Sequence, residues 1–368
     1  MSLHPWRAAT RTLTSRCARL CGPALALLVL LPSAALAYLR RERLPRQHRL
    51  LHEGTWCRLE LGLYHVMIVP LIAFLPAPMA YGIARLQGNW RFRLDRSKRE
   101  YIMYGLESVL GDQLSPAERT RITRDYLRLS SCQAVDALRL AGKGRALARL
   151  VEIRGREHLE AALAAGKGAI LCGAHFGSYD SCFSLIGSLG LPITAVGRRP
   201  TRLNKDWTFV ERMVFRLFIQ SFLARHKQQP NIQPRGQLES AVQAAQVLRQ
   251  NEVLGILIDP PVLDVDRPRA VPVDFLNGQA LLLPGVTTIA QLMGTPVLMT
   301  FMRRSADWRH QVLEISPPIS MEDDALTAFR RCLAVVEAAI LQNPAHWHYW
   351  GKYALMDLGL LPKEQEPA

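Results

Sequence analysis

A histidine and an aspartate five positions apart, His175 and Asp180, close the segment Gly168-Ala-Ile-Leu-Cys-Gly-Ala-His175-Phe-Gly-Ser-Tyr-Asp180. A carboxylate beside an imidazole fixes its tautomer and stabilises the imidazolium, which makes histidine a competent general base near neutral pH. On one ideal helix the two side chains would point about 140° apart. They can face each other only if His175 precedes the helix that carries Asp180, and Gly173 and Gly177 permit such a turn. Taken alone, the spacing favours an ordinary helix N-terminus that carries a histidine. The surroundings reverse that reading.

Residues 168–174 form an apolar run bounded by glycine, suited to a strand buried on both faces of a parallel sheet. Beyond residue 150 strands and helices alternate, which argues for a layered α/β domain with a mostly parallel sheet flanked by helices. Strands are expected at 151–154, 168–173, 192–197, 253–258, 296–302 and 311–315. Helices are expected at about 157–165, 179–189, 206–225, 236–250, 285–293 and 323–342. Such sheets place their chemistry in loops outside the carboxyl ends of the strands. His175, Arg199 and Asp259 each follow an expected strand and can converge at one edge. Asp259 is equally suited to satisfying backbone groups at a strand end, and Arg199 to an ordinary surface position.

Composition narrows the partners. A formal charge of +15 points to an anionic one: nucleic acid, anionic lipid, or an acidic acyl carrier. There is no RNP-like aromatic motif, zinc finger or basic heptad region, so nucleic acid is the weakest of the three. Seven cysteines, with no C-x-x-C pair, fit reduced, mostly buried thiols in a cytoplasmic body. Cys172 and Cys182 flank the His/Asp segment and read as core residues. His346 and His348 form an H-x-H pair without a third nearby ligand, so packing beside Trp347 and Trp350 is the better reading than zinc. No metal or cofactor is expected.

Residues 1–90 are expected to be membrane-associated and residues 91–360 to form the α/β domain. No charge occurs between Arg19 and Arg40, a stretch about long enough to span a bilayer. Arginines on both sides leave its orientation unset, and Ala35-Leu-Ala37 also resembles a cleavage site. A second charge-free stretch, Leu61 to Ala84, contains Pro70, Pro76 and Pro78, which would kink a spanning helix or break an interfacial one. Ser115 is a plausible N-cap with Pro116 in the first turn, opening a basic amphipathic helix that Gly142 and Gly144 should interrupt. The aromatic-rich stretch Trp207 to Arg225 suits an acyl groove, the bilayer, or plain core packing.

From about Leu61 to Tyr353 the chain resembles the lipid A late acyltransferases, the lauroyl/myristoyl acyltransferases, within the wider lysophospholipid and glycerolipid acyltransferase superfamily. Blocks agree in order: Val69-Pro-Leu-Ile-Ala-Phe-Leu-Pro, Ser115-Pro-Ala-Glu-Arg, Arg154-Gly-Arg-Glu-His-Leu, and the His175 to Asp180 motif. Then come Gly197-Arg-Arg199-Pro200, Gly255-Ile-Leu-Ile-Asp259, Val271-Pro-Val-Asp-Phe-Leu-Asn-Gly278 and Asn343-Pro-Ala-His-Trp347-His-Tyr-Trp350. The chain departs from the family in having Pro260 and Pro261 where Gln commonly follows the strand-end Asp. It also has Lys352 where many members have Arg near the final tryptophans.

The resemblance implies acyl transfer from a thioester, acyl carrier protein or acyl-CoA, to a hydroxyl of a lipid or glycolipid such as a lipid A precursor. The setting it implies is the cytoplasmic face of a bacterial inner membrane. His175 would be the general base and Asp180 its orienter. The turn around Gly177 and the helix N-terminus would supply oxyanion N–H donors. Arg199 or Arg235 would stabilise the oxyanion or bind acceptor phosphate, with Asp259 also lining the substrate site. A non-catalytic lipid-binding or assembly protein of the same fold is the alternative.

Overall fold

A computed structural model describes residues 69–72, 75–148, 150–197, 231–232, 237–260 and 266–350. Four helices come first: α1 (Val69–Ile72), α2 (Ala77–Leu94), α3 (Arg96–Leu110) and α4 (Pro116–Ala148). Ser115 caps α4 as the sequence suggests. Its hydroxyl accepts from Glu118 N at 3.3 Å while the Glu118 carboxylate accepts from Ser115 N at 2.9 Å, a reciprocal capping box. Contrary to expectation, α4 does not stop near Gly142 and Gly144 but runs on to Ala148. A mid-helix glycine costs only about 1 kcal/mol, too little by itself to end a helix. At Gly88 of α2 an added Cβ would lie 2.5 Å from the Arg128 backbone, so the two helices approach as nearly as glycine allows.

The described part of the stretch Leu61 to Ala84 is not one continuous helix. It breaks between α1 and α2, with Pro76 as the N-cap of α2 and Pro78 in its first turn. The second helix then runs through residue 90, where the sequence suggested a boundary. Among the described residues no helix is long and apolar enough to cross a membrane. The stretch between Arg19 and Arg40 lies outside the described residues, as do Ala35-Leu-Ala37 and Trp207 to Arg225.

The α/β part follows as β1 (Val151–Arg154), α5 (Arg156–Ala164), β2 (Ala169–Gly173), α6 (Tyr179–Ser188), β3 (Ile193–Val196) and β4 (Asn231–Ile232). Next come α7 (Gln237–Arg249), β5 (Val253–Leu257), β6 (Val271–Phe275), β7 (Gly278–Leu282) and α8 (Gly285–Met293). The domain ends with β8 (Val297–Arg304), β9 (Gln311–Ile319) and α9 (Ala325–Gln342). Seven strands form one sheet in the order β1-β9-β8-β2-β5-β3-β4. All its pairs are parallel except β8 with β9. The expected fold class, a mostly parallel sheet between helices, is what the chain adopts. An additional hairpin, β6–β7, pairs Phe275 with Gly278 across Leu276-Asn277. The left-handed residue there is Leu276 at φ 55°, and Gly278 begins the second strand.

Every residue of β2 is buried. Ile170, Cys172, Ala174 and Phe176 face one core, shared with Phe329, Cys332 and Val336 of α9. Ala169 and Leu171 face the other, with Leu159 of α5 and Phe183 of α6. The strand is thus sandwiched as its unbroken apolar run requires.

Candidate active site

Parallel neighbours β2 and β5 end at the same sheet edge, which brings His175 and Asp259 together. Ile258 N, one residue past β5, donates to Gly173 O at the end of β2 at 3.0 Å. Asp259, next in the chain, is fully buried. Its carboxylate accepts the His175 backbone N–H at 3.0 and 2.9 Å and meets His175 Nδ1 at 2.8 Å. Trp347 Nε1 donates to Oδ2 at 2.9 Å. An acceptor at Nδ1 fixes the proton there and leaves Nε2 as the nitrogen with an available lone pair.

The segment after α9 closes over this edge. His348 N donates to His175 O at 3.0 Å and Gly177 N to His346 O at 2.9 Å. The Tyr349 and Tyr179 rings lie 4.5 and 4.7 Å from the His175 ring. Held by two rings, a carboxylate and its own backbone, the imidazole keeps 18% of its side-chain surface exposed, so a reactant can reach it. Gly177 stands at φ +57°, and a Cβ there would fall 1.8 Å from Met302 O. Only glycine lets the turn pass β8 at that distance.

Several expectations meet this geometry. His175 and Asp259 come together, and Asp259 holds the imidazole nitrogen that an orienting carboxylate would take. Asp180 lies in the first turn of α6, and its side chain is outside the described residues, as are Arg199 and Arg235 entirely. Gly177 does not offer its N–H to an oxyanion, because that donor is bonded to the His346 carbonyl. Any backbone donor must come from the helix start beyond it. Trp347 has no place among the expected site residues. The cluster of aromatics and histidines in 346–350 signalled packing but not which indole reaches a carboxylate.

His346 stacks on Phe176 at 5.2 Å, and its Nε2 accepts from Arg304 N at 3.2 Å. Burial first, then Arg304 and Arg303, push its pKa down to about 3, so it is a neutral packing element. Among the described residues no group of three or more His, Cys, Asp or Glu side chains is placed to hold a metal ion. Cys172 and Cys182 are buried. Burial pushes the Cys182 thiol up to about 12, and the contact with Cys332 together with burial raises that of Cys172. Neither has the depressed pKa of a nucleophilic thiolate. The arrangement at the sheet edge is therefore a partly exposed histidine whose Nδ1 is held by a buried carboxylate.

The family described as bacterial lipid A biosynthesis acyltransferase matches residues 45–352. A lipid A biosynthesis acyltransferase of Haemophilus influenzae is 25% identical over 296 residues, which cover 80% of this chain and 85% of that relative. The matched span includes the helical layer, the whole sheet, the His175 turn and the closing segment through Trp350, so the chain belongs to the bacterial lipid A biosynthesis acyltransferase family and is an acyltransferase.

Proposed function

We propose that this acyltransferase moves a fatty acyl chain from a thioester, acyl carrier protein or acyl-CoA, to a hydroxyl of a lipid A precursor or related glycolipid. His175 Nε2 takes the hydroxyl proton as the oxygen attacks the thioester carbonyl. The tetrahedral intermediate collapses, the ester forms, and the C–S bond breaks. The leaving sulfur takes the proton back from the imidazolium and departs as a thiol. Because the thioester is already activated, no acyl-enzyme is needed. Asp259 holds Nδ1 and stabilises the imidazolium, and Asp180 adds a second negative charge in the first turn of α6. Amides of that turn and a guanidinium, Arg199 or Arg235, meet the oxyanion or the acceptor's phosphate. The observation that carries this reading is the buried Asp259 carboxylate 2.8 Å from Nδ1 of a partly exposed His175.

Membrane association at the inner face of the bacterial inner membrane belongs to the same reading, and α2 supports it. Its buried face is built largely from small residues, Ala80, Ala84 and Gly88. Met79, Leu86, Trp90 and Leu94 are all more than half exposed. At helical spacing these four fall within an arc of about 80°. The helix thus turns an apolar stripe outward while burying Arg91, and exposed Arg93 borders the stripe. A helix lying at a lipid interface has this character. A cytoplasmic catalytic domain belongs to the same reading, in which the buried Cys132, Cys172, Cys182 and Cys332 would stay thiols.

The test is acyl transfer by the purified full chain, given a lipid A precursor with acyl carrier protein or CoA thioesters and followed by mass spectrometry of the lipid. Asp259→Asn should lower kcat about a hundredfold or more, since an amide at Nδ1 favours the wrong tautomer. Absence of any acylated glycolipid with wild-type enzyme and both donors overturns the substrate assignment.

A further inference from the structure

Asp136, in the middle of α4, is fully buried and accepts from side chains on three other parts of the fold. Tyr81 of α2 donates to Oδ1 at 2.7 Å and Ser178 to Oδ2 at 2.8 Å. The Arg304 guanidinium of β8 also reaches Oδ2. Burial and the neighbouring carboxylate push the Tyr81 phenol well above its usual range, so it stays a donor. Arg304 is anchored in turn by Trp308 O at 3.0 Å and lies over the Tyr81 ring at 4.4 Å.

Ser178 immediately follows Gly177 and occupies the N-cap of α6. A serine there ordinarily turns its hydroxyl onto the first amides of its own helix. Ser178 makes no such bond, and its hydroxyl is engaged by Asp136 instead. One turn earlier on α4, Gln133 Nε2 donates to Gly177 O at 2.5 Å and approaches His348 Nε2 at 2.8 Å. Tyr126 of the same helix donates to His348 O at 3.2 Å, and His348 N in turn holds His175 O. Three side chains of α4 thus grip the chain just after His175 and the segment that closes over it.

We propose that Asp136 is a positioning residue for the general base: through Ser178, with Arg304 as its counter-charge, it fixes the turn that carries His175. The inference rests on His175 acting as the base. A buried ion pair is weak evidence of stabilisation, because well-packed apolar residues often serve stability as well or better. The unused helix cap is better explained by a requirement on where Ser178 and its neighbours sit. Catalytic rate is sensitive to such placement, and a misplacement of about 1 Å from outside the chemistry can cost about a hundredfold.

The experiment measures kcat, both KM values and Tm for Ser178→Ala, Asp136→Asn, the double variant and Ser178→Thr, with His175→Ala alongside. Each of the first two should lower kcat about ten- to a hundredfold while the KM values stay within about twofold. The double variant should be no slower than the slower single, because both cut one path. Ser178→Thr, which keeps the hydroxyl, should recover most of kcat. Multiplicative losses, or singles that fold and turn over like wild type, overturn the proposal. So does a Ser178→Thr enzyme as slow as Ser178→Ala. If Asp136→Asn does not fold, the serine pair alone decides. Turnover by His175→Ala would instead refute the underlying reading, whatever the Ser178 variants show.

Discussion

The indole of Trp347 donates to the Asp259 carboxylate from 88 residues away, and the same carboxylate holds the His175 imidazole. Both Trp347 and Asp259 are fully buried, so neither has water as a substitute partner. Trp347→Phe keeps most of the packing and removes only the donor. A buried acceptor that loses one of its partners costs about 1–3 kcal/mol, and Oδ2, still held by the His175 backbone N–H, fixes the imidazole less firmly. Thermal unfolding should show that loss and steady-state kinetics a lower kcat. A variant equal to wild type in both would show that the indole does nothing for the site.

Gly177 is the most constrained position of the turn. Gly177→Ala places a methyl 1.8 Å from Met302 O at a φ of +57°, so either β8 or the turn must shift. Strain of this kind costs about 1–3 kcal/mol from the backbone alone, before the collision is counted. The variant should be inactive and lower in Tm than wild type. Comparison of activity and circular dichroism would check it, and a fully active Gly177→Ala would contradict the described turn.

His346 links acid sensitivity to the site. Its folded pKa of about 3 lies below the ordinary 6.5. The unfolded chain therefore binds a proton between those values that the folded chain does not. Stability is full above pH 6.5 and falls as the pH drops toward 3, by up to about 1.4 kcal/mol per pH unit from this residue. His346→Gln should flatten the acid limb of a Tm-versus-pH curve relative to wild type. An identical limb in both proteins would remove His346 as a cause.

Cys172 and Cys182 flank the His175 turn, and the proposed direct transfer gives neither a role. Cys172→Ala and Cys182→Ala remove little volume from the core and should lose about 1–2 kcal/mol of stability at most. Their kcat should stay within about fivefold of wild type if transfer is direct, as proposed, with no acyl-thiol intermediate. Mass spectrometry during turnover should find no acylated cysteine. A stable thioester adduct on either residue would replace the direct-transfer mechanism.

What could be read from the sequence was governed by local signals. The unbroken apolar run of β2, the N-cap at Ser115 and the alternation of strands and helices each depend on neighbours in the chain, and the structure has them. The β6–β7 hairpin also left a trace, an alternation of inward and outward residues on either side of Leu276-Asn277. Pro272 within the first strand obscured it. Other contacts depend on strand order and helix docking. Asp259 pairs with His175 because β5 lies beside β2, and neither strand encodes that adjacency. Trp347 is drawn in from beyond α9. Asp136 sits mid-helix between Ala134-Val135 and Ala137-Leu138, and nothing local says which distant side chains its carboxylate will meet. Gly142 and Gly144 misled because a propensity cost of about 1 kcal/mol each does not by itself end a helix.

In the proposed reaction His175 removes the acceptor's proton while Asp259 holds its other nitrogen. That step is tested most directly by the kcat of purified, folded His175→Ala in acyl transfer to a lipid A precursor. A positioned general base contributes about a hundred- to ten-thousandfold, so a loss of about that size is expected, with Tm close to wild type. Turnover within about tenfold of wild type would contradict the account, because no placement of Asp259 could then matter to the reaction.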